Sequence, residues 1–262
     1  NQITKGDVSD KEIITGRKTL GSVGDGDFSW RLTADTMDDQ SGIRSAQMLA
    51  VNRFAPTALP LRDRYDVRNG MPNINDTSMN GAGLTLDWTL NDSWTLKSVT
   101  AYRESETETN IDFDTLPTII ADVKAFYEDV QLSQEFQANF DAGGDLTGVL
   151  GLYWFQGEAG GTVLNNFFNL SFGNTNGTME TDSIAFYGDG TWRFSDELSL
   201  SFGGRYTREE KTADIFNQTF RDRNFTTPLA TVADLNDSKT FSNFSPKVSV
   251  DYQATPDALY YG

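Results

Sequence analysis

The chain has 262 residues, 38 acidic against 21 basic, and a formal net charge of −17. Its phosphate-repelling charge excludes an electrostatic reason to bind nucleic acid. The absence of cysteine and histidine excludes disulfides, thiolate chemistry, Cys/His zinc sites and a serine–histidine triad.

Thirty-seven per cent of residues are hydrophobic and 12% aromatic, which suffices for ordered structure, and the 23 glycines suit an all-β chain with many turns. No apolar run is long enough for a transmembrane helix. Asn1–Lys5 lacks the charged-then-apolar pattern of a signal peptide. The chain stops on ALYYG, at the start of an expected strand. Both ends are expected to be cuts.

In chain order, the dominant signal is period-two alternation. A first hairpin is expected to turn at Gly24-Asp25-Gly26-Asp27. In GLTLDWTL, Leu84, Leu86, Trp88 and Leu90 alternate with Thr85, Asp87 and Thr89. After the turn Asn91-Asp92-Ser93, WTLKSVTAYR sets Trp94, Leu96 and Tyr102 against Lys97 and Arg103. VQLSQEFQANF, a turn at 141–145 and LTGVLGLYWF repeat the pattern. So do SIAFYGDGTWRF, a turn at 195–197 and LSLSFGGRYTREEK. FSPKVSVDY precedes a last turn at 254–257.

The short turns fall near 25, 92, 143, 196 and 255, roughly every 50–65 residues. Between them lie polar stretches at roughly 38–80, 104–128, 158–181 and 208–240, expected to be long connections. In an antiparallel meander this places every short turn at one end and every long connection at the other. Outer-membrane barrels have this asymmetry, with strands of about 9–11 residues crossing the apolar layer. Trp88, Trp94, Trp192 and Phe194 beside the short turns suit an aromatic girdle. Lys97, Arg103, Glu135, Gln137, Arg193, Arg205 and Asp251 on the opposite face suit a watery lumen. A soluble β-sandwich carries the same alternation and stays open at this point.

Five segments resemble the barrel of TonB-dependent outer-membrane receptors. They are LTLDWTLNDSWTLKSVTAYRESETETNIDFD, EDVQLSQEFQ, LTGVLGLYWFQGEA, LSLSFGGRYTREEK and FSPKVSVDYQATPDALYYG, in the family's order. The resemblance implies an all-β, antiparallel up-and-down meander. Residues 1–262 would form about ten strands of a larger transmembrane β-barrel, without its plug, TonB box or C-terminal strand. It implies active uptake of a scarce solute, a ferric siderophore or similar iron complex, energised by the TonB system through the plug. It also implies a Gram-negative outer membrane, with lipid and lipopolysaccharide as surroundings, and no catalysis and no cofactor. The alternatives are a passive porin-like barrel and a secreted all-β carbohydrate-binding module.

Arg53, Arg62, Arg64 and Arg68, with Phe54 and Tyr65, are the candidate ligand-binding residues, because guanidinium groups offer paired donors to an anionic chelate. Phe167, Phe168 and Phe172 are expected to stack on a ligand or to fold back on their own loop. Glu104, Glu106 and Glu108 would face outward above the apolar band, as a solvated surface or against lipopolysaccharide through divalent cations. Asp35, Asp38 and Asp39 do not have calcium-loop spacing and are expected to be a strand-end cluster. No metal site is expected.

Overall fold

The computed structural model describes residues 1–3, 5–23 and 26–262. Of the first turn expected at Gly24-Asp25-Gly26-Asp27, Gly24 and Asp25 lie outside them. Ten strands form one antiparallel sheet in strict sequence order. They are β1 (Ile13–Gly21), β2 (Phe28–Asp39), β3 (Asn75–Asn91), β4 (Trp94–Asp112), β5 (Ala121–Asp141), β6 (Leu146–Phe167), β7 (Ser171–Arg193), β8 (Leu198–Phe220), β9 (Pro228–Thr255) and β10 (Ala258–Tyr261). Among the described residues, β1 and β10 stand at the two ends of an open sheet.

The short turns form where side chains replace ladder partners. Asn91 Oδ1 accepts the backbone N–H groups of Ser93 at 2.9 Å and Trp94 at 3.1 Å. Asp141 Oδ1 accepts from Gly143 N at 2.8 Å. Gly143 has a φ of 70°, a left-handed conformation open to glycine without steric cost. Ser195 Oγ accepts from Glu197 N and Leu198 N, both at 3.2 Å.

Strands β3 to β9 are far longer than the expected 9–11 residues. β7 and β8 each have 23 residues and β9 has 28. The long connections expected at 104–128, 158–181 and 208–240 are therefore mostly strand, and only 113–120, 168–170 and 221–227 remain between strands. The physical reason is that stretches such as ETETN are polar on both faces. Ladder hydrogen bonds hold them without any hydropathy contrast, as in the uninterrupted β4–β5 register from Trp94↔Phe140 to Asp112↔Asp122. At a 45° tilt, 23 residues rise roughly 50 Å, about twice the 25 Å apolar band of a barrel wall.

Register fixes the faces, because paired residues in an antiparallel ladder point to the same side. The row Phe136, Leu152, Phe186, Tyr206 and Phe244 runs across five strands on one face. These apolar side chains are the exposed ones: Phe186 is 59% exposed and Val248 72%. A sandwich would bury them, so that alternative fails here. Trp88, Trp94, Trp192 and Phe194 stand exposed on the same face beside the short turns. Trp94 lies 5.0 Å from Phe140, and Trp192 4.3 Å from Phe194, between ring centroids.

Side chains are buried instead at the far end. Ile43, Val67, Met71, Leu116, Val123 and Ala125 form a small core beneath the connections. Phe172 and Phe220, paired in the ladder, both pack edge-on against Phe225 of the β8–β9 connection, at 6.4 and 5.6 Å.

Candidate functional site

The end of the sheet away from the short turns is built around the β2–β3 connection, residues 40–74. Side-chain amides pin it where backbone partners are lacking. Asn73 Oδ1 accepts from Ile43 N at 2.8 Å, and Asn110 Nδ2 donates to Pro72 O at 3.0 Å. Asn69, 1% exposed, donates to Ser45 Oγ at 2.6 Å. Gly70 has no room for a side chain: a Cβ would meet Leu116 O at 2.9 Å.

The four candidate arginines lie on this segment, and three of them are engaged locally. Arg53 stacks on Phe54, with 4.5 Å from guanidinium carbon to ring centroid. Arg64 stacks on Tyr65 at 4.7 Å and donates to its hydroxyl at 2.5 Å. Arg68 donates to Leu59 O at 2.5 Å, and so braces its own connection. Arg62 is exposed. Among the described residues no acceptor is shared between any two of them. Phe54 also meets Phe168 edge-on at 5.0 Å, which joins the β2–β3 connection to the β6–β7 turn. The three phenylalanines thus separate: Phe168 folds onto a neighbouring connection, Phe172 is buried, and Phe167 stays partly exposed at a strand end.

An acidic clasp lies beside them. Carboxylate oxygens of Asp112, Asp114 and Asp122 lie within 4.8 Å of one another. Asp114 accepts backbone N–H groups from Leu116, Ile120 and Ala121 at 2.9, 2.8 and 2.7 Å. Asp112 accepts from Gly70 at 2.9 Å and Thr115 at 2.7 Å. These donors tie the 40–74 and 113–120 connections to the tips of β4 and β5. Burial raises the Asp112 carboxyl. Asp122 is pushed up to about 6, by burial first and then by the charges of Asp112 and Asp114. With two of the three carboxylates committed to backbone donors, the trio works as a structural clasp.

Asp112 and Asp122 are brought together only by register, through the pairing Asp112↔Asp122. The DFD spacing of residues 112–114 is the one sequence signal that could have drawn attention to them.

The polar face of the sheet carries several ion pairs and cation–π contacts. Arg103 pairs with Asp35 at 2.9 Å, and Arg17 approaches the same carboxylate at 3.7 Å. Asp35 is thus an ion-pair partner within β2, and Asp38 and Asp39 lie at the strand end as expected. Lys247 pairs with Asp189 at 2.9 Å and Lys97 with Asp87 at 3.2 Å. The Arg205 guanidinium carbon lies 5.4 Å from the Tyr153 ring centroid and 5.7 Å from that of Tyr187. Glu104, Glu106 and Glu108 continue the β4 ladder on the other, apolar-bearing face.

This geometry, a meander with short turns at one end and tall ribbons and clasped connections at the other, is matched along its length by a known family model. Residues 15–262 match the TonB dependent receptor-like, beta-barrel family. The chain belongs to that family. Its members are outer-membrane proteins of Gram-negative bacteria, transport receptors rather than enzymes.

Among solved structures, the ferric yersiniabactin uptake receptor FyuA from Yersinia pestis superposes with a TM-score of 0.71 at 16% identity, over 96% of this chain. The ferric-catecholate import receptor Fiu from E. coli K12 superposes in its open form with a TM-score of 0.64 at 12% identity, over 97% of this chain. The likeness is one of fold. The chain spans 37% of the FyuA chain and 47% of the Fiu chain. No curated protein sequence matches it.

Proposed function

We propose that residues 1–262 form part of the barrel domain of an outer-membrane receptor that takes up a scarce solute, energised through TonB. The observation that carries this reading is the reversed burial of the sheet: its apolar rows are exposed, and its charged rows are netted together on the other face. Such a sheet suits lipid outside and water inside. The apolar face meets the bilayer and the Arg103–Asp35 and Arg205–Tyr187 face lines the lumen. The carboxylates above the apolar rows meet the lipopolysaccharide layer, where divalent cations bridge like charges.

The cargo is an anionic iron chelate. Family membership supports active uptake, and the two structural relatives are named as a ferric yersiniabactin uptake receptor and a ferric-catecholate import receptor. Arg53, Arg62 and Arg64 are the capture residues on the outer connection, with planar donors suited to carboxylate or catecholate oxygens. Arg68 holds the connection in shape for them. No covalent step is needed. Binding energy concentrates the solute at the outer tips, and TonB, drawing on the inner-membrane proton gradient, moves the plug to release it inward.

Uptake of radiolabelled ferric chelates by cells carrying the gene tests this. Uptake that stops on adding a protonophore supports TonB coupling, whereas uptake indifferent to the protonophore sinks it. Replacing Arg53, Arg62 and Arg64 together by Gln should lower chelate affinity at least tenfold without lowering the amount of folded protein. Unchanged affinity would remove these residues from capture.

A further inference from the structure

The apolar face is not smooth. Two adjacent rows are floored by small residues: Gly148 lies opposite Gly190, and Gly188 lies opposite Gly204, which in turn lies opposite Pro246. The rows on either side are bulky, with Leu152, Phe186, Tyr206 and Phe244 on one flank and Leu146, Trp192, Leu200 and Val250 on the other. Between them lies a trough of about 730 Å³ across β4 to β9, bordered by Trp94 and Phe140 at one end, by Val248 at the other, and by Leu146 and Phe244 of the flanking rows. Neighbouring side chains lean over the glycines. Leu150 Cδ2 is 2.9 Å from where a Gly188 Cβ would be, and Phe202 Cζ is 3.1 Å from that of Gly190. They leave the trough open nonetheless.

We infer that this trough is a binding site for one acyl chain of an amine-bearing, zwitterionic phospholipid of the phosphatidylethanolamine type. The inference rests on the reading that the apolar face meets lipid. The small-residue floor runs from Gly148 on β6 to Pro246 on β9, three strand spacings of about 4.8 Å or roughly 14 Å, close to the ~15 Å hydrocarbon depth of one leaflet. Strands tilted by about 45° incline it so that a chain can descend along it. An unfilled trough in the bilayer forfeits dispersion contacts on every wall, so an extended chain is its natural filling.

The trough lies close to the short turns, which selects the leaflet on their side and therefore phospholipid over lipopolysaccharide. The turn tips beneath it expose Asp141, Asp145, Asp196 and Glu197 beside the one cation Arg193, whose guanidinium is engaged with Gly144 O at 3.1 Å. That charge favours an ammonium headgroup and repels an anionic one.

The test uses the full-length protein folded into phosphatidylcholine vesicles that contain one-tenth brominated phosphatidylethanolamine. Trp94 is kept as the only tryptophan, with Trp88 alone as the comparison. Trp94 quenching at least twofold above that of Trp88 is expected, and Gly188→Leu, which fills the trough at the cost of moving only the end of Leu150, should abolish the excess. Phe244→Ala, which widens the trough, should retain it. Equal quenching of Trp94 and Trp88, or an excess indifferent to Gly188→Leu, overturns the site. An equal excess with brominated phosphatidylglycerol overturns the headgroup assignment. Trp94 unquenched in wholly brominated vesicles would overturn the lipid-facing reading itself, a different failure from that of the trough alone.

Discussion

Tyr187 of β7 donates its phenolic hydrogen to Glu135 of β5 at 2.5 Å, across the whole width of β6. The residue beneath the ring is Gly151, which is paired with both Tyr187 and Gln137 in the ladders, and a Cβ there would lie only 2.1 Å from the ring's Cζ. Gly151→Ala should therefore lift Tyr187 off Glu135 and leave a partly buried carboxylate short of a donor. The expected loss is about 1.5–3 kcal/mol, the scale of a hydrogen bond to a charged group, read from urea unfolding in vesicles. Tyr187→Phe should lose the same bond. A Gly151→Ala protein as stable as the parent would mean that the ring has another place to rest.

The two faces should respond oppositely to charge. Phe186→Arg places a cation on the apolar face near mid-height, which costs about 2–4 kcal/mol at bilayer midplane depth. Ser133→Arg enters a 270 Å³ hollow on the polar face that also exposes Asp35 and Tyr153, and should be tolerated. The yield of folded protein in outer-membrane fractions compares the two. Equal yields would contradict the assigned orientation.

How much of this was legible beforehand differs by region. The hairpins at 91–93, 141–145 and 195–197 and the faces of the turn-side halves of β3 to β9 follow from period-two contrast, which is local and survives any tertiary context. The upper halves of the strands were hidden because Glu104 to Thr109 alternates polar with polar. Water bathes both faces there, so hydropathy carries no phase. The arginines could be named but not their states. Arg53 and Arg64 each stack on the next residue in sequence, a rotamer choice that no spacing announces. The Asp112–Asp122 pairing needed the register of two ribbons and the short connection between them.

The clasp should titrate. Asp122 has its carboxyl raised from 3.8 to about 6 in the folded protein, so the folded state favours its protonated form. Its contribution is favourable below about 3.8 and is lost as the pH rises through about 6, where the ionised group faces Asp112 and Asp114. Amide hydrogen exchange in residues 113–121, corrected for intrinsic rates, should therefore be slower at pH 5 than at pH 7. Asp122→Asn should bring the pH 7 rates down to the pH 5 level. Identical protection at both pH values in the parent would refute the coupling.

Above the apolar rows, carboxylates meet head-on. Glu106 is paired with Glu128, Glu158 with Glu180, Asp182 with Glu210 and Asp76 with Glu108. Like charges directly opposite each other oppose strand pairing. Millimolar calcium should raise the thermal midpoint of the folded protein, and Glu106→Gln together with Glu158→Gln should raise it without calcium while shrinking the calcium increment. A larger calcium response in the double variant would falsify this account of the belt.

The ladders that carry β6 and β7 up to Phe167 and Ser171 leave only residues 168–170 to turn the chain. A receptor built this way has little slack in its crown at that tip. Insertions there have a stiff two-stranded post beneath them, so a foreign epitope spliced between Phe168 and Leu170 would be displayed high above the cell surface at a fixed azimuth.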